Sequence, residues 1–496
     1  MPFNSFEFVY AFLPLVLGGY FLLGRGRSTA PALGFLVLAS LVYYGWDRPW
    51  HLAIILGSGL FNYYAGLRLA ALARQDRDTA AARLGGLAVA ANLALLAYGK
   101  YTGFLLANLN SLTGWQVHLP ALAWPLGISF FTFVQIAYLV DVRRGQAPED
   151  SLLNYLLFVT FFPKILAGPI VRARQLLPQL RLPGLGRLNH QDMALGLALF
   201  VVGLFKKQIL ADELAPLVQQ AFGPASQGAV PEFYLSWLGV LAYTLQIYFD
   251  FSGYSDMALG AARMLGLRLP YNFDSPYKSA SIAEFWRRWH ITLSFFLRDY
   301  LYIPLGGNRK GQARRYLNLI VTMLLGGLWH GAGWTFIIWG GLHGLYLALH
   351  QSWRRLLERR WPGRRQGSWA GVWAGRLLTF FLICMAWVFF RAPDLASALA
   401  VFRGLLGQGG RALSPEVPLI MLSLLWRLGV AWFLPNSQAY ILGAGSQAPT
   451  PDTPPAMPSW WSWRPSPLHV GVILCLGFWA LGKMVGQVQQ FLYAQF

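Results

Sequence analysis

The sequence predicts an all-α polytopic membrane protein with about 11–13 transmembrane helices and additional re-entrant or interfacial helices. Three observations carry this. Of the 496 residues, 56% are hydrophobic and only 12% are charged, half the roughly 25% of a soluble domain. The mean hydropathy is +0.43. The chain also holds 21 Trp, 22 Tyr and 34 Phe, rings that collect where a bilayer meets water. Intrinsic disorder, a collagen-like fibre and a disulfide-stapled secreted domain are excluded by these properties.

The first expected span is Phe8 to Leu23. It has neither a basic n-region nor a small-residue cleavage site, so it reads as retained. Further apolar runs lie at about 31–46, 51–67, 85–107, 120–140, 151–168, 191–210, 232–250, 316–328, 333–350, 376–390, 417–435 and 468–485. Arg25 and Arg27 follow the first span, Arg68, Arg74, Arg77 and Arg83 the third, and Arg143 and Arg144 the fifth. The loops near 108–119 and 216–231 hold no Lys or Arg. Basic loops mark the cytoplasmic side, which places the N-terminus outside. The same rule accounts for 40 Lys+Arg against 20 Asp+Glu, so the charge of +20 points to membrane topology and not to nucleic acid. Arg48 departs mildly from the alternation. Lys206-Lys207 departs more, and reads as a half-helix or re-entrant segment.

Two stretches interrupt the apolar pattern. Phe161-Phe-Pro-Lys-Ile-Leu-Ala-Gly-Pro169 contains two prolines and a lysine, and 324–334 (LLGGLWHGAGW) contains four glycines. Broken backbone at membrane depth is tolerated where it is buried or lines a wet cavity, so these stretches are site candidates. Glycine packing between helices is the alternative. The 445–467 segment is a Pro/Ser-rich connector, and 1–496 reads as a single membrane-embedded domain without internal repeats. Cys384 and Cys475 lie within apolar runs and show no metal-ligand spacing; no metal site is expected.

His330, in GGLWHGAGW, is the sharpest feature. An ionisable group within an apolar run calls for a functional explanation, and imidazole suits a general base acting on a hydroxyl. A structural histidine bonded to a neighbouring helix is the other reading. His290 ends the run Ser281-Ile-Ala-Glu-Phe-Trp-Arg-Arg-Trp-His290. Ser281 and Glu284 form a capping-box pair, so a helix should start there. Continued through His290, that helix would place Trp286, Arg287, His290 and Ser294 on one face. Arg287, His290 and Arg298 then form a cationic stripe continued by Arg309, Lys310, Arg314 and Arg315. The stripe either meets a phosphate-bearing donor or anchors an interfacial helix to anionic headgroups.

Asp250 and Asp256, six residues apart, fall on different helix faces and read better as separate salt bridges than as a carboxylate pair. His343 lies thirteen residues past His330. On one continuous helix that is roughly 20 Å, too far for a shared site. His51, His118, His190, His350 and His469 sit at span ends or in loops. Walker A, dinucleotide-binding, HExxH and GxSxG patterns are absent.

The segments PLGISFFTF (125–133), FFPKILAGPI (161–170), LQIYFDFSGYSDMALGAARMLG (245–266), NFDSPYKSASIAEFWRRWHITLS (272–294), LRDYLYIPLGGNRKG (297–311) and GGLWHGAGWTFIIWGGLHG (326–344) resemble the membrane-bound O-acyltransferase family. Within it they are most similar to the bacterial branch typified by the membrane subunit that O-acetylates alginate. The resemblance covers 125–344, the expected catalytic core. It implies a funnel-shaped core of tilted and broken helices, no permanently bound cofactor, and acyl transfer from cytoplasmic acetyl-CoA. The family's essential histidine corresponds to His330 and its second signature position to His290; the donor reading of the basic stripe agrees with this and places the phosphates near Arg287, Arg298 and Lys310. The implied acceptor is an extracellular, alginate-like polysaccharide, reached directly or through an extracytoplasmic acetyltransferase. The implied location is the bacterial inner membrane, with lipid around the spans. Siblings acting on cellulose, peptidoglycan or teichoic acid, and a polysaccharide or lipid transporter with a histidine proton relay, are the alternatives.

Overall fold

A computed structural model describes residues 1–117, 125–361, 368–413, 415–443, 463, 466–484 and 491–492. His118, Arg364 and nearly all of the connector expected at 445–467 lie outside these residues. Among the described residues every regular element is helical.

The principal helices are α1 (Glu7–Leu23), α2 (Ala30–Gly45), α3 (His51–Arg74), α4 (Asp78–Thr113), α5 (Ile128–Arg143), α6 (Leu152–Thr160), α7 (His190–Ser226) and α8 (Phe233–Met264). They continue with α9 (Ile282–Arg288), α10 (Ile291–Leu297), α11 (Gly311–His330), α12 (Trp334–Arg360), α13 (Trp369–Arg391), α14 (Leu395–Leu405), α15 (Val417–Phe433) and α16 (Pro467–Lys483). By length and composition α3, α4, α7 and α13 are able to cross a bilayer, and α1, α2, α14, α15 and α16 are shorter apolar helices. Large side chains such as Leu15, Leu87, Leu112 and Phe478 are exposed, as lipid-facing positions require.

Three elements differ from expectation. The 151–168 run is helical only to Thr160, because Pro163 disfavours helical backbone in the residue before it and ends the hydrogen-bond ladder. The 232–250 run extends to Met264, carrying Asp250 and Asp256 within α8. Lys206-Lys207 is not a half-helix. It opens a π-helical turn, Lys206–Ala211, inside the continuous helical stretch His190–Ser226.

The described chain forms two compact units. The first comprises Met1–Leu204, Gly253–Tyr271 and the described residues of 441–495. In it α3 packs against α4 and α5, while α2 packs against α1 and α6. Asn62 on α3 donates to Asn92 Oδ1 and Gln135 Oε1, each at 3.0 Å, and Asn92 Nδ2 returns a bond to Asn62 Oδ1 at 2.7 Å. Buried amides without water must bond to one another, and these fasten α3, α4 and α5 together. The broken 161–169 segment belongs to this unit. Phe162 there packs on Phe12 and Tyr43, and its backbone N–H donates to Ser40 Oγ at 3.1 Å.

The second unit comprises Phe205–Ser252 and Asn272–Tyr440. Its centre is the antiparallel pair α11 and α12. A Cβ at Gly327 would meet the backbone of Phe336 and Gly340, and one at Gly340 the backbone of Met323. These glycines therefore serve close helix packing, the second of the two sequence readings. In the same unit Lys207 Nζ contacts Asp212 Oδ1 and Asp250 Oδ1, each at 2.7 Å. The salt bridge expected for Asp250 thus has a lysine as its partner.

Candidate active site

The sequence motif around His290 builds a kink where one continuous helix was expected. Ser281 Oγ caps α9 by accepting from Glu284 N at 3.2 Å, and Glu284 Oε2 accepts from Ala280 N at 2.8 Å. The start of the helix is as the capping box predicts. Its end is not. α9 stops at Arg288, and His290 takes φ 42° and ψ 54° before α10 begins at Ile291. Left-handed backbone in a non-glycine residue costs on the order of 1–3 kcal/mol and persists where the surroundings enforce it.

Here the preceding loop enforces it. Asp274 N donates to Arg288 O at 2.9 Å and Ile291 N to Asn272 O at 3.0 Å, one on each side of the kink. Arg288 Nη1 reaches Asp274 O and Oδ2, both at 3.1 Å, while its Nε reaches Glu284 Oε1 at 3.0 Å. Thr292 Oγ1 adds a 2.6 Å bond to Asn272 Oδ1. The shared helix face proposed for Trp286, Arg287, His290 and Ser294 is therefore corrected. The 3.6-residue period breaks at position 290, and the imidazole turns into the unit's interior, fully buried.

His330 closes α11. Gly331 leaves the helix in extended backbone, and α12 resumes at Trp334. The break falls in the glycine-rich stretch, as the sequence suggests, and leaves the imidazole only 4% exposed. Its ring lies 4.9 Å from Trp329, 5.0 Å from Trp339 and 5.2 Å from Phe390. His290 approaches the same Trp329 at 6.2 Å and meets Phe251 edge-on at 4.8 Å.

The hairpin also changes the position of His343. Because α12 folds back along α11, the 20 Å expected for one straight helix does not apply. His343 packs on Trp339 at 4.6 Å, the same indole that touches His330. Its Nδ1 accepts from Trp286 Nε1 at 3.2 Å. The second unit thus holds an alternating series of rings: His290, Trp329, His330, Trp339, His343. Sequence spacing missed His343 and both indoles. The turn glycines Gly331 and Gly333 carried the missing signal, since a break there permits a hairpin.

The three basic residues differ in their surroundings. Arg287 and Lys310 are exposed, and neither has an ion pair among the described residues. Arg298 is held by Asp299, with Nε–Oδ1 at 2.6 Å, and lies over the Phe295 ring at 4.7 Å. Its charge is already balanced.

Buried imidazoles in an aromatic enclosure can hold and move a proton where water is scarce, as hydroxyl activation requires. The family model for MBOAT, the membrane-bound O-acyltransferase family, matches residues 141–390, which include all three histidines. A peptidoglycan O-acetyltransferase of Helicobacter pylori is 42% identical over 442 residues, covering 83% of this chain and 81% of the relative. A probable alginate O-acetylase of Azotobacter vinelandii is 42% identical, covering 84% of this chain and 80% of the relative. A teichoic acid D-alanyltransferase of Streptococcus thermophilus is 34% identical over 46% of this chain and 57% of its own length. A match over the segment that builds the ring series, and relatives matched across four-fifths of both chains, make this chain an acyltransferase belonging to the membrane-bound O-acyltransferase family, in the branch that holds the alginate O-acetylases.

Proposed function

We propose that the protein transfers an acetyl group from cytoplasmic acetyl-CoA to hydroxyls of an extracellular, alginate-like polysaccharide, directly or through an extracytoplasmic acetyltransferase, and that it works in a bacterial inner membrane. His330 takes the proton of the attacking hydroxyl. The oxygen bonds to the thioester carbonyl carbon, the C–S bond breaks, and the CoA sulfur leaves and receives a proton. His290 orients the reacting groups from the other side of Trp329. Arg287 and Lys310 meet the donor's phosphates at the cytoplasmic surface, with Arg298 contributing less because Asp299 already neutralises it.

The observation that carries this reading is the placement of His290 and His330 against one indole, buried, within the matched segment. Peptidoglycan is the second acceptor reading, favoured by the 42% identity to the Helicobacter pylori relative. Purified protein should bind acetyl-CoA and release CoA faster from it than from long-chain acyl-CoAs. Arg287→Gln with Lys310→Gln should weaken that binding more than Arg359→Gln with Arg360→Gln. A preference for long chains would remove acetyl as the transferred group, and equal effects from both pairs would remove the phosphate role.

A further inference from the structure

His343 is placed by the fold beside the proposed base, yet the chemistry above gives it no work. Its ring is fully buried, enclosed by Trp339 at 4.6 Å, Trp286 at 5.2 Å, Tyr346 at 5.9 Å and Phe285 at 6.2 Å. Indole nitrogen is a donor only, so the 3.2 Å bond from Trp286 Nε1 makes Nδ1 of His343 the acceptor. The proton of the neutral ring must then sit on Nε2. That N–H has no acceptor among the described residues. Neither has the buried Nε1–H of Trp339, one helical turn earlier on α12 and in ring contact with both His343 and His330. A buried donor left unpaired costs about 1–3 kcal/mol. Two such donors, one turn apart on α12 and beside the enclosure of the proposed base, are groups that an oxygen becoming more negative as a reaction proceeds can use.

We propose that Nε2–H of His343, assisted by Nε1–H of Trp339, donates a hydrogen bond to the carbonyl oxygen of the acyl group being transferred. This rests on the acyl-CoA reading above. When the hydroxyl oxygen attacks the thioester carbon, the carbonyl π electrons move onto that oxygen, and the two donors stabilise the resulting charge until the C–S bond breaks. The Trp286 bond has a defined part in this, since it fixes the tautomer that leaves the proton on Nε2.

Two conservative variants separate this role from a packing role. The amide nitrogen of glutamine falls near the position of histidine Nε2, whereas the amide of asparagine falls near Nδ1. His343→Gln therefore keeps the distal donor and His343→Asn keeps a partner for Trp286. Steady-state acetyl transfer and binding of acetyl-CoA and of free CoA are measured for both, with thermal unfolding in detergent as the check on folding. The expected result is that His343→Gln retains kcat within about tenfold, while His343→Asn loses about 10²–10³-fold in kcat, the range for removal of one such donor. Free CoA, which has no acyl carbonyl, should bind both variants as it binds the wild type. An active Asn variant beside an inactive Gln variant, or equal activities, would overturn the proposal and leave His343 as a structural partner of Trp286. A wild-type protein that does not turn over acetyl-CoA would instead overturn the donor reading on which the proposal rests.

Discussion

His330 sits at the last position of its helix between two indoles, and the expectation that follows for it is specific. His330→Ala should reduce acetyl transfer by at least about 10²-fold, the lower bound of what a general base contributes. Its thermal unfolding in detergent should stay close to that of the wild type. His190→Ala, an exposed imidazole at the start of α7, is the matched control and should keep full activity. Retained transfer by folded His330→Ala would remove the base assignment. Lys207 calls for the opposite test. Its side chain is 2% exposed and faces Asp250 at 1% and Asp212 at 11%. Lys207→Met should destabilise the fold by about 3–5 kcal/mol, because it strands buried carboxylates without their ammonium. Adding Asp250→Asn should recover part of that loss in the same unfolding assay. At this scale the sequence was informative where chemistry is local: an ionisable residue within an apolar run, or a carboxylate in α8 needing a partner. It could not supply the partner, since Lys207 and Asp250 are 43 residues apart in the chain.

Among the elements, the capping box at Ser281 and the glycines after His330 were legible, because both act within one turn of the chain. The kink at His290 was not. Nothing in the Trp-Arg-Arg-Trp-His run opposes helix, and the break is imposed by bonds from Asn272 and Asp274, more than a dozen residues upstream. The hairpin of α11 and α12 shows the same limit. Its register depends on Gly327 and Gly340 meeting backbone to backbone, so His343 becomes a neighbour of the His330 enclosure only once that contact forms. Gly340→Leu should therefore destabilise the protein by about 1–3 kcal/mol through overpacking, visible as a lower unfolding temperature. It should also cut activity more than stability explains, because it displaces Trp339 from both imidazoles. Gly429→Leu on α15, where a Cβ meets open space, should do neither.

For the whole molecule, composition alone carried the fold class, and the family motifs carried the activity. The division into two compact units had no compositional boundary to reveal it, since both are built of the same apolar helices. Orientation rests on the alternation of basic and neutral loops and is directly testable. Cysteine at Ser111, exposed in the last turn of α4 beside the neutral loop, should react with an impermeant thiol reagent added outside intact cells, and cysteine at Arg359 should not. The reverse labelling would invert the side on which the donor enters. The π-helical turn at Lys206–Ala211 has a longer-range consequence. Such a turn holds one residue more than an α-helix would over the same rise. Removing a single residue there would let the helix close into regular α geometry and rotate its two halves against each other by about 100°. Asp212 would then lie four residues after Lys207 and stay on its face, while one half of the helix would turn relative to Asp250 on α8. In the descent of this chain, point substitutions in that turn are gradual changes, whereas a one-residue deletion is a switch that re-registers one half of the helix at a stroke.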